Sequence, residues 1–157
     1  MADCVFCQIL AGHAPASVIC EDARVVALMD LRQAVPGHVL VIPRQHAETL
    51  YDLDEDVAAH AMRVAHRVAL ALRSALAPDG LNLWQSNGEA GGQEVPHFHL
   101  HVHPRRVGDG LLDVYPAGVP APAPREQLDA LALMLRQQLE QGALMAPGAA
   151  TSCTHQR

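Results

Sequence analysis

The 157-residue chain is poor in aromatic residues, which make up 3% of it, and it has no long apolar run. A membrane-spanning helix needs roughly 20 consecutive apolar residues, so we expect no transmembrane segment. Basic residues are outnumbered, eleven against seventeen acidic ones, and they are scattered along the chain. Because nucleic-acid recognition requires a concentrated basic surface, DNA and RNA are not expected partners.

Cysteine is also scarce, with Cys4, Cys7, Cys20 and Cys153 as the four residues of this type. This number and spacing do not suit a secreted disulfide framework. The N-terminus has neither the basic nor the long apolar segment of a secretory signal, so we expect a reducing, cytoplasmic setting. In that setting the close pair Cys4 and Cys7 favours metal binding, with a redox role as the alternative.

The pattern of apolar residues predicts an α+β domain. Short apolar runs between turn-forming residues predict five strands, at residues 18–20, 25–29, 39–42, 81–85 and 97–104. Between Leu53 and Leu76 apolar residues recur every three or four positions, which predicts one long amphipathic helix capped by Asp52 and Glu55. Because the strands occur in runs, the sheet is expected to be antiparallel.

The sequence predicts a domain core over residues 1–107, which is followed by three segments of different composition. Residues 108–124 are rich in glycine and proline and predict an extended connector. Residues 125–142 carry leucines at helical spacing and predict a C-terminal helix. Residues 143–157 are small or polar and are expected to form a disordered tail.

Histidine is unusually abundant, with ten residues, and its placement is the most informative feature of the sequence. His97, His99, His101 and His103 alternate with Phe98, Leu100 and Val102. Successive side chains of a strand point to opposite faces, so the four imidazoles are expected to share one face. Such a row suits either metal ligation or attack on phosphorus, and the glycine-rich loop that precedes it favours phosphate.

The segment from His97 to His103 resembles the signature of the histidine triad (HIT) superfamily. Residues 4–12, 27–30, 36–46 and 92–95 resemble its Hint-type branch in the same order, so the resemblance covers about residues 4–106. It implies a HIT-like fold, with an antiparallel sheet of about five strands, one long helix and a C-terminal helix. It also implies a homodimer paired through the long helix and a sheet edge, and a helical stripe with Val57, Ala61 and Val64 is compatible with that.

The resemblance implies an enzyme that hydrolyses or transfers a nucleotide at its α-phosphorus. The substrate would be an AMP-like purine nucleoside monophosphate conjugate: a phosphoramidate, an adenylate or a dinucleoside polyphosphate. His99 would attack phosphorus to form a covalent intermediate, and His101 would assist the leaving group with His97 beside them. No metal is needed for this chemistry. The alternative is a nucleotide-binding regulatory or partner-binding protein whose hydrolysis is incidental.

The same resemblance implies a set of nucleotide-binding residues. Asp30 would accept hydrogen bonds from the ribose hydroxyls, as a carboxylate at the end of a strand can. Donors of Asn87 and Gln93 and the amide of Val95 would contact phosphate, and His38 would line the site. Phe6, Ile9 and Leu31 would surround the base. Two positions depart from the family pattern. His103 could touch the leaving group or reach solvent, and we expect solvent. Glu94 stands where a small hydroxyl residue would contact the leaving group.

Two further expectations concern metal and packing. Relatives with a Cys-x-x-Cys pair bind zinc through it, a later histidine and the first triad histidine, which here are Cys4, Cys7, His46 and His97. These four residues predict a tetrahedral structural zinc site. The single tryptophan, Trp84, is expected in the core or in a dimer contact rather than as a stacking platform.

Overall fold

The computed structural model describes residues 4–111, 114–116 and 118–145, and the chain divides into two compact units, Met1–Leu111 and Leu112–Arg157. The elements of the first unit are α1 (Val5–Leu10), β1 (Val18–Glu21), β2 (Val25–Met29), β3 (Val39–Pro43), α2 (Glu55–Leu76), β4 (Gly80–Trp84) and β5 (Leu100–Arg105). The strands form one antiparallel sheet in the order β1-β2-β3-β5-β4. The predicted α+β class with a five-stranded antiparallel sheet is confirmed.

The sheet packs against a helix on each face, and burial of its apolar residues fixes which side chains face which helix. Residues of α2 and alternate strand residues form one core cluster: Val25, Ala27, Val39, Val41, Ala61, Val64, Ala65, Val68, Leu72, Phe98, Leu100 and Val102. The opposite face packs against α1 through Cys4, Phe6, Val26, Leu28, Leu40 and Ile42. Each large buried aliphatic side chain stabilises the fold by about 1.5–3 kcal/mol, so a one-residue slip of a central strand would be costly.

The long helix α2 matches the predicted periodicity but not the predicted cap. Asp54 is the N-cap, and its side chain accepts a hydrogen bond from the Val57 amide at 3.2 Å. Asp52 instead forms a capping box with Thr49 around a short 3-10 turn, so the predicted pairing of Asp52 with Glu55 is wrong. The stripe with Ala61 and Val64 packs inside the subunit, which removes it as a dimer contact.

The histidine-bearing strand is shorter than predicted, because β5 begins at Leu100 rather than at His97. The Phe98 amide bonds to the Ala47 carbonyl at 2.7 Å, and the His97 amide bonds to the Val95 carbonyl at 2.8 Å. These loop contacts take the place of ladder pairing. Phe98 still packs with Leu100 and Val102 against α2, so the predicted alternation of faces holds for the apolar residues.

Gly37 sets the start of β3 through a backbone conformation that other residues resist. Its φ is +105°, and a Cβ there would lie 2.6 Å from Leu76 Cδ1 and 2.9 Å from Pro104 Cγ. Only glycine permits both the left-handed φ and this close approach. This tight turn places His38 immediately before the first residue of β3.

The second unit contains one long helix, α3 (Arg125–Met145). It begins at the predicted residue and continues three residues past position 142. Large apolar side chains on α3 are exposed, among them Leu128, Leu131, Leu135 and Leu139. Of the predicted tail, residues 146–157 lie outside the described residues. Within the described part of the chain, no helix is long and apolar enough to span a membrane.

Candidate active site and metal centre

The site is assembled on the α1 side of the sheet from three neighbouring strands. His101 on β5 lies opposite Leu40 of β3 and Trp84 of β4. His38 precedes β3 and Asp30 follows β2, so both lie at the same end of the antiparallel pair β2–β3. The fold therefore brings together His99, His101, His38 and Asp30, which are separated by up to 71 positions in sequence.

A backbone carbonyl fixes which ring nitrogen of His99 donates a hydrogen bond. Its ring is 5% exposed, and its Nδ1 lies 2.7 Å from the carbonyl oxygen of His97. A carbonyl oxygen only accepts hydrogen bonds, so Nδ1 carries the proton and donates. Neutral His99 consequently keeps its lone pair on Nε2, which is the form that a nucleophile requires.

His38 and His101 form a second hydrogen-bonded series. The Nδ1 of His38 donates to the Arg32 carbonyl at 3.1 Å and also lies 3.5 Å from Asp30 Oδ2. The Nε2 of neutral His38 must then accept, and its partner is Nδ1 of His101 at 2.8 Å. Neutral His101 therefore carries its proton on Nδ1 and its lone pair on Nε2.

Burial controls the charge of these imidazoles. It lowers the pKa of His101 to about 3, and repulsion from His99, His38 and His103 adds to the effect. Burial also lowers the pKa of His38, although the Arg32 carbonyl and Asp30 act in the opposite direction. Both shifts favour the neutral imidazole near pH 7, and a bound anion would oppose them.

His103 was expected to reach solvent, and this expectation is wrong. Its ring is 3% exposed and lies 4.4 Å from that of His38 between centroids. Its Nδ1 donates to the Pro104 carbonyl at 2.6 Å. A buried imidazole is acceptable here because the adjacent carbonyl satisfies its donor.

The loop before His97 is fixed by two of the predicted phosphate-binding residues. Oδ1 of Asn87 accepts from the Leu50 amide at 2.7 Å. The Gln93 side chain accepts from the Gly88 amide at 2.7 Å and donates to the carbonyls of Glu48 and Val95. Gln93 thus uses its amide to shape the loop and to orient the Val95 peptide, while Asn87 anchors the loop through its oxygen alone.

The three residues predicted to surround the base differ in their setting. Phe6 is buried and touches the rings of His97 and His99 edge-on, with centroid distances of 5.7 and 5.3 Å. Ile9 is partly buried against the core cluster beneath α1. Leu31 is 97% exposed directly after Asp30. An aliphatic side chain with that exposure does not pack in the hydrophobic core.

The predicted metal ligands converge next to the histidine row. The ligand atoms of Cys4, Cys7, His46 and His97 all lie within 4.8 Å of one another. His97 Nδ1 is 3.4 Å from Cys4 Sγ, 3.7 Å from Cys7 Sγ and 3.2 Å from His46 Nδ1. Tetrahedral zinc places two nitrogens roughly 3.3 Å apart and nitrogen and sulfur roughly 3.6 Å apart, so the donor set fits that ion.

The orientation of His97 suits this centre rather than the phosphate site. Its Nε2 donates to the Pro43 carbonyl at 2.9 Å, so the lone pair lies on Nδ1 among the other ligands. Burial raises the pKa of the Cys7 thiol, and Cys4 adds to this. A bound cation would reverse that effect, since metals bind thiolates. Toward the neighbouring histidines, His97 contributes its backbone carbonyl, which accepts from His99 Nδ1.

Several features of the site were not predicted from the sequence. Trp84 stacks on His101 with centroids 4.3 Å apart and an interplanar angle of 7°. The carboxylate of Glu94 pairs with Arg32, which joins the loop before His97 to the loop after β2. Both contacts depend on strand register and loop path, which the residue pattern alone does not specify.

Comparisons with known proteins agree with this geometry. A model of the HIT domain matches residues 11–108. The protein hit of Bacillus subtilis is 40% identical over 114 residues, which cover 72% of this chain and 79% of that protein. The adenosine 5'-monophosphoramidase of Saccharomyces cerevisiae is 34% identical over 117 residues, covering 74% and 72% respectively.

A solved structure is similar as well. The zinc-bound histidine triad family protein of Mycobacterium smegmatis has 37% identity and a TM-score of 0.66, covering 90% of this chain and 98% of that one. Sequence and fold thus point to the same group of proteins.

Proposed function

The chain belongs to the HIT family, and from that premise we propose that it is a nucleotide-binding hydrolase or nucleotidyl transferase. Its substrate is an AMP-like purine nucleoside monophosphate conjugate, and the reaction occurs at the α-phosphorus. The observation that carries the proposal is the bond from His99 Nδ1 to the His97 carbonyl. It leaves Nε2 of this buried imidazole as the nitrogen that can act as the nucleophile.

The first chemical step exchanges one bond at phosphorus for another. His99 Nε2 forms a bond to the α-phosphorus as the bond to the leaving group breaks. The leaving group takes a proton from Nε2 of His101, while Nδ1 of His101 stays bonded to His38. The negative phosphate raises the pKa of His101 in the complex, which allows the ring to hold that proton.

Hydrolysis of the nucleotidyl-His99 intermediate completes the cycle. His101, now neutral, accepts a proton from water at Nε2 as the water oxygen attacks phosphorus. The bond between phosphorus and His99 breaks and the lone pair returns to His99. Splitting the displacement in two is favourable because each half uses a nucleophile already placed beside the same phosphorus.

Nucleotide binding uses the residues around this pair. Asp30 holds the ribose, because its carboxylate lies at the end of β2, with Oδ1 accepting from the Arg32 amide and Oδ2 beside His38 Nδ1. Asn87 Nδ2 and the Val95 amide contact phosphate, with Gln93 shaping their loop. Phe6, Ile9 and exposed Leu31 surround the base. Similarity to an adenosine 5'-monophosphoramidase supports adenosine as the nucleoside.

The metal centre holds a structural zinc ion through Cys4, Cys7, His46 and His97. The ligand spacing supports this, as does similarity to a zinc-bound histidine triad protein. The ion takes no part in phosphorus chemistry, and its effect is to fix the ring of His97. Thiolate ligands remain available in a reducing compartment, which suits a cytoplasmic enzyme.

We also propose that two chains form a homodimer through the β4 edge of the sheet. Strand β4 is a terminal strand, and Met62 and Leu70 on α2 are 49% and 43% exposed. An open strand edge with apolar neighbours is normally covered. Sedimentation should therefore give about twice the chain mass of 16.8 kDa, and a monomer mass would contradict the dimer.

The variant His99→Ala tests the mechanism. We expect kcat/KM on an adenosine phosphoramidate to fall by at least roughly 10³-fold, while calorimetry still detects AMP binding. Alkali-quenched wild-type enzyme should show the mass of one added nucleotidyl group, which the variant lacks. His13→Asn, at an exposed position outside the site, is the matched control. Turnover above a tenth of wild type in His99→Ala would refute the nucleophile.

A substrate panel separates the enzyme from its alternative. Phosphoramidates, adenylates and dinucleoside polyphosphates are compared by kcat/KM. Glu94 places a carboxylate beside the loop of the site, so highly anionic leaving groups should be the poorest substrates. Slow turnover of every conjugate together with tight AMP binding would instead indicate a regulatory nucleotide-binding protein.

A further inference from the structure

Trp84 is the only tryptophan of the chain, and its indole lies flat against the proposed general acid. It occupies β4 directly opposite His101 of β5. The two rings are 4.3 Å apart between centroids and tilted by only 7°. This face-to-face contact differs from the edge-on contacts that Phe6 makes with His97 and His99.

The other groups around His101 are mostly unfavourable to positive charge on its ring. His103 lies on the same strand, and His99, which directly precedes that strand, is 4.8 Å away between ring centroids. His38 faces it from the start of β3 through the bond to Nδ1, and Asp30 lies behind His38. Trp84 covers it from β4, and its indole is neutral with a negative π face.

From this arrangement we propose that Trp84 is a positioning residue for His101. Its indole fixes the plane of the imidazole and stabilises the positive charge on that ring while it delivers a proton to the leaving group. The inference rests on the proposed function, since it concerns the acid of that reaction.

The physical basis is the attraction of a cation to an aromatic face. Tryptophan gives the strongest attraction of the aromatic side chains, and the separation here is well within the roughly 6 Å over which it acts. Neutral aromatic pairs favour edge-on or offset arrangements, so face-to-face stacking gains most when one ring is charged. Converted to a pKa, the attraction amounts to about half a unit to one and a half units in favour of imidazolium.

The same site shows why such a contribution matters. Burial and the neighbouring histidines lower the pKa of His101 to about 3 in the ligand-free protein. The negative phosphate of a substrate raises it, and Trp84 adds to that rise without introducing a charge. An acidic residue in its place would also favour the cation but would repel the phosphate.

Two substitutions at one position test the proposal. Trp84→Val removes the π face and keeps a side chain that favours a strand, whereas Trp84→Phe keeps an aromatic face. The pKa of His101 is followed by ¹⁵N NMR of labelled histidine in the AMP complex. We expect it to fall by about half a unit or more in Trp84→Val and by less in Trp84→Phe.

The kinetic readout follows from the sign of this shift. His101 acts as an acid, so a lower pKa moves the basic limb of the kcat–pH profile to lower pH by the same amount. KM should change little, because Trp84 does not contact the substrate in this proposal. An unchanged pKa and pH profile in Trp84→Val, or equal shifts in both variants, would overturn the role of the indole face.

Two further measurements keep the outcome unambiguous. If Trp84→Val does not fold, 5-fluorotryptophan at this single position weakens the negative π face with little change in shape, and the same downward shift is expected. Upfield ring-current shifts of the His101 protons, lost in Trp84→Val, test the stack in protein without ligand. If the ring-current shifts are intact but the protein neither binds AMP nor turns over adenosine conjugates, the proposed function is refuted. The acid role of His101 is then refuted with it, although the ring stack itself is present.

Discussion

At the scale of single residues, backbone carbonyls determine what each histidine can do. The carbonyl of Pro43 leaves the Nδ1 lone pair of His97 among the sulfur and nitrogen atoms of Cys4, Cys7 and His46, and the carbonyl of His97 leaves Nε2 of His99 as its possible acceptor atom. The alternation of residues in the sequence predicted that the histidine side chains face away from the core formed with α2. It did not predict the tautomers, because Pro43 and Arg32, which supply the accepting carbonyls for His97 and His38, lie in other elements.

The role of His38 can be tested at this scale. His38→Leu keeps the bulk but removes the acceptor for His101 Nδ1, so a buried N–H is left unpaired and the alternative tautomer becomes accessible. We expect kcat to fall by roughly 10² or more while AMP affinity changes far less. His13→Asn again serves as the control, and a kcat within threefold of wild type would show that His101 functions without this partner.

At the scale of elements, the sequence predicted the helices and strands that follow from apolar periodicity. It missed the features that depend on contacts between distant residues. Helix α2 and the strands β2 and β3 follow from apolar spacing, and their observed bounds lie close to the predicted ones. The six-residue helix α1 has no capping side chain and is too short to show helical periodicity, so no local sequence pattern predicted it. The late start of β5 depends on the Ala47 carbonyl, which is distant in sequence.

A second prediction concerns the turn between β1 and β2, which Asp22 joins to α2. Asp22 pairs with His60 Nε2 at 2.7 Å and accepts from the amides of Arg24 and Val25. The hydrogen bond from His60, together with these amides, lowers the pKa of Asp22 far below its usual value. A depressed carboxyl pKa contributes stability above the unfolded-state pKa, near 4, and that stability is lost as the pH falls through the folded-state pKa.

Asp22→Asn should therefore lower the melting temperature at pH 7 by roughly 2–5 °C, since the pair is partly exposed. The difference from wild type should shrink below about pH 4, where this carboxylate becomes protonated in the unfolded chain, and should vanish only as the pH falls through the much lower folded-state pKa. Thermal melts across this range measure it, with Glu140→Gln on α3 as the control. A difference that stays constant down to pH 2 would mean that the turn does not depend on the charge of Asp22.

At the scale of the whole molecule, the proposed metal centre connects the N-terminal segment to the proposed catalytic histidines His99 and His101. Cys4 and Cys7 flank the start of α1, His46 follows β3, and His97 precedes β5. Spacing alone left Cys4 and Cys7 open between metal and redox chemistry, and the resemblance supplied the other two ligands. Only the folded chain brings ligands that are up to 93 positions apart to within 4.8 Å.

This connection predicts a joint loss of stability and rate when the metal is removed. Cys7→Ser, or a strong chelator, leaves the ring of His97 held by the Pro43 carbonyl alone, so the His97 carbonyl holds His99 Nδ1 less firmly. We expect a melting temperature at least about 5 °C lower and kcat reduced by roughly tenfold or more, because structural zinc contributes folding energy and its ligands are oriented together. Cys20→Ser, which changes an exposed thiol outside the cluster, should match wild type. Elemental analysis should find about one zinc per chain in wild type and in Cys20→Ser. Less than half an equivalent of zinc would contradict the metal site. Full activity of metal-free protein would show that the metal does not support catalysis.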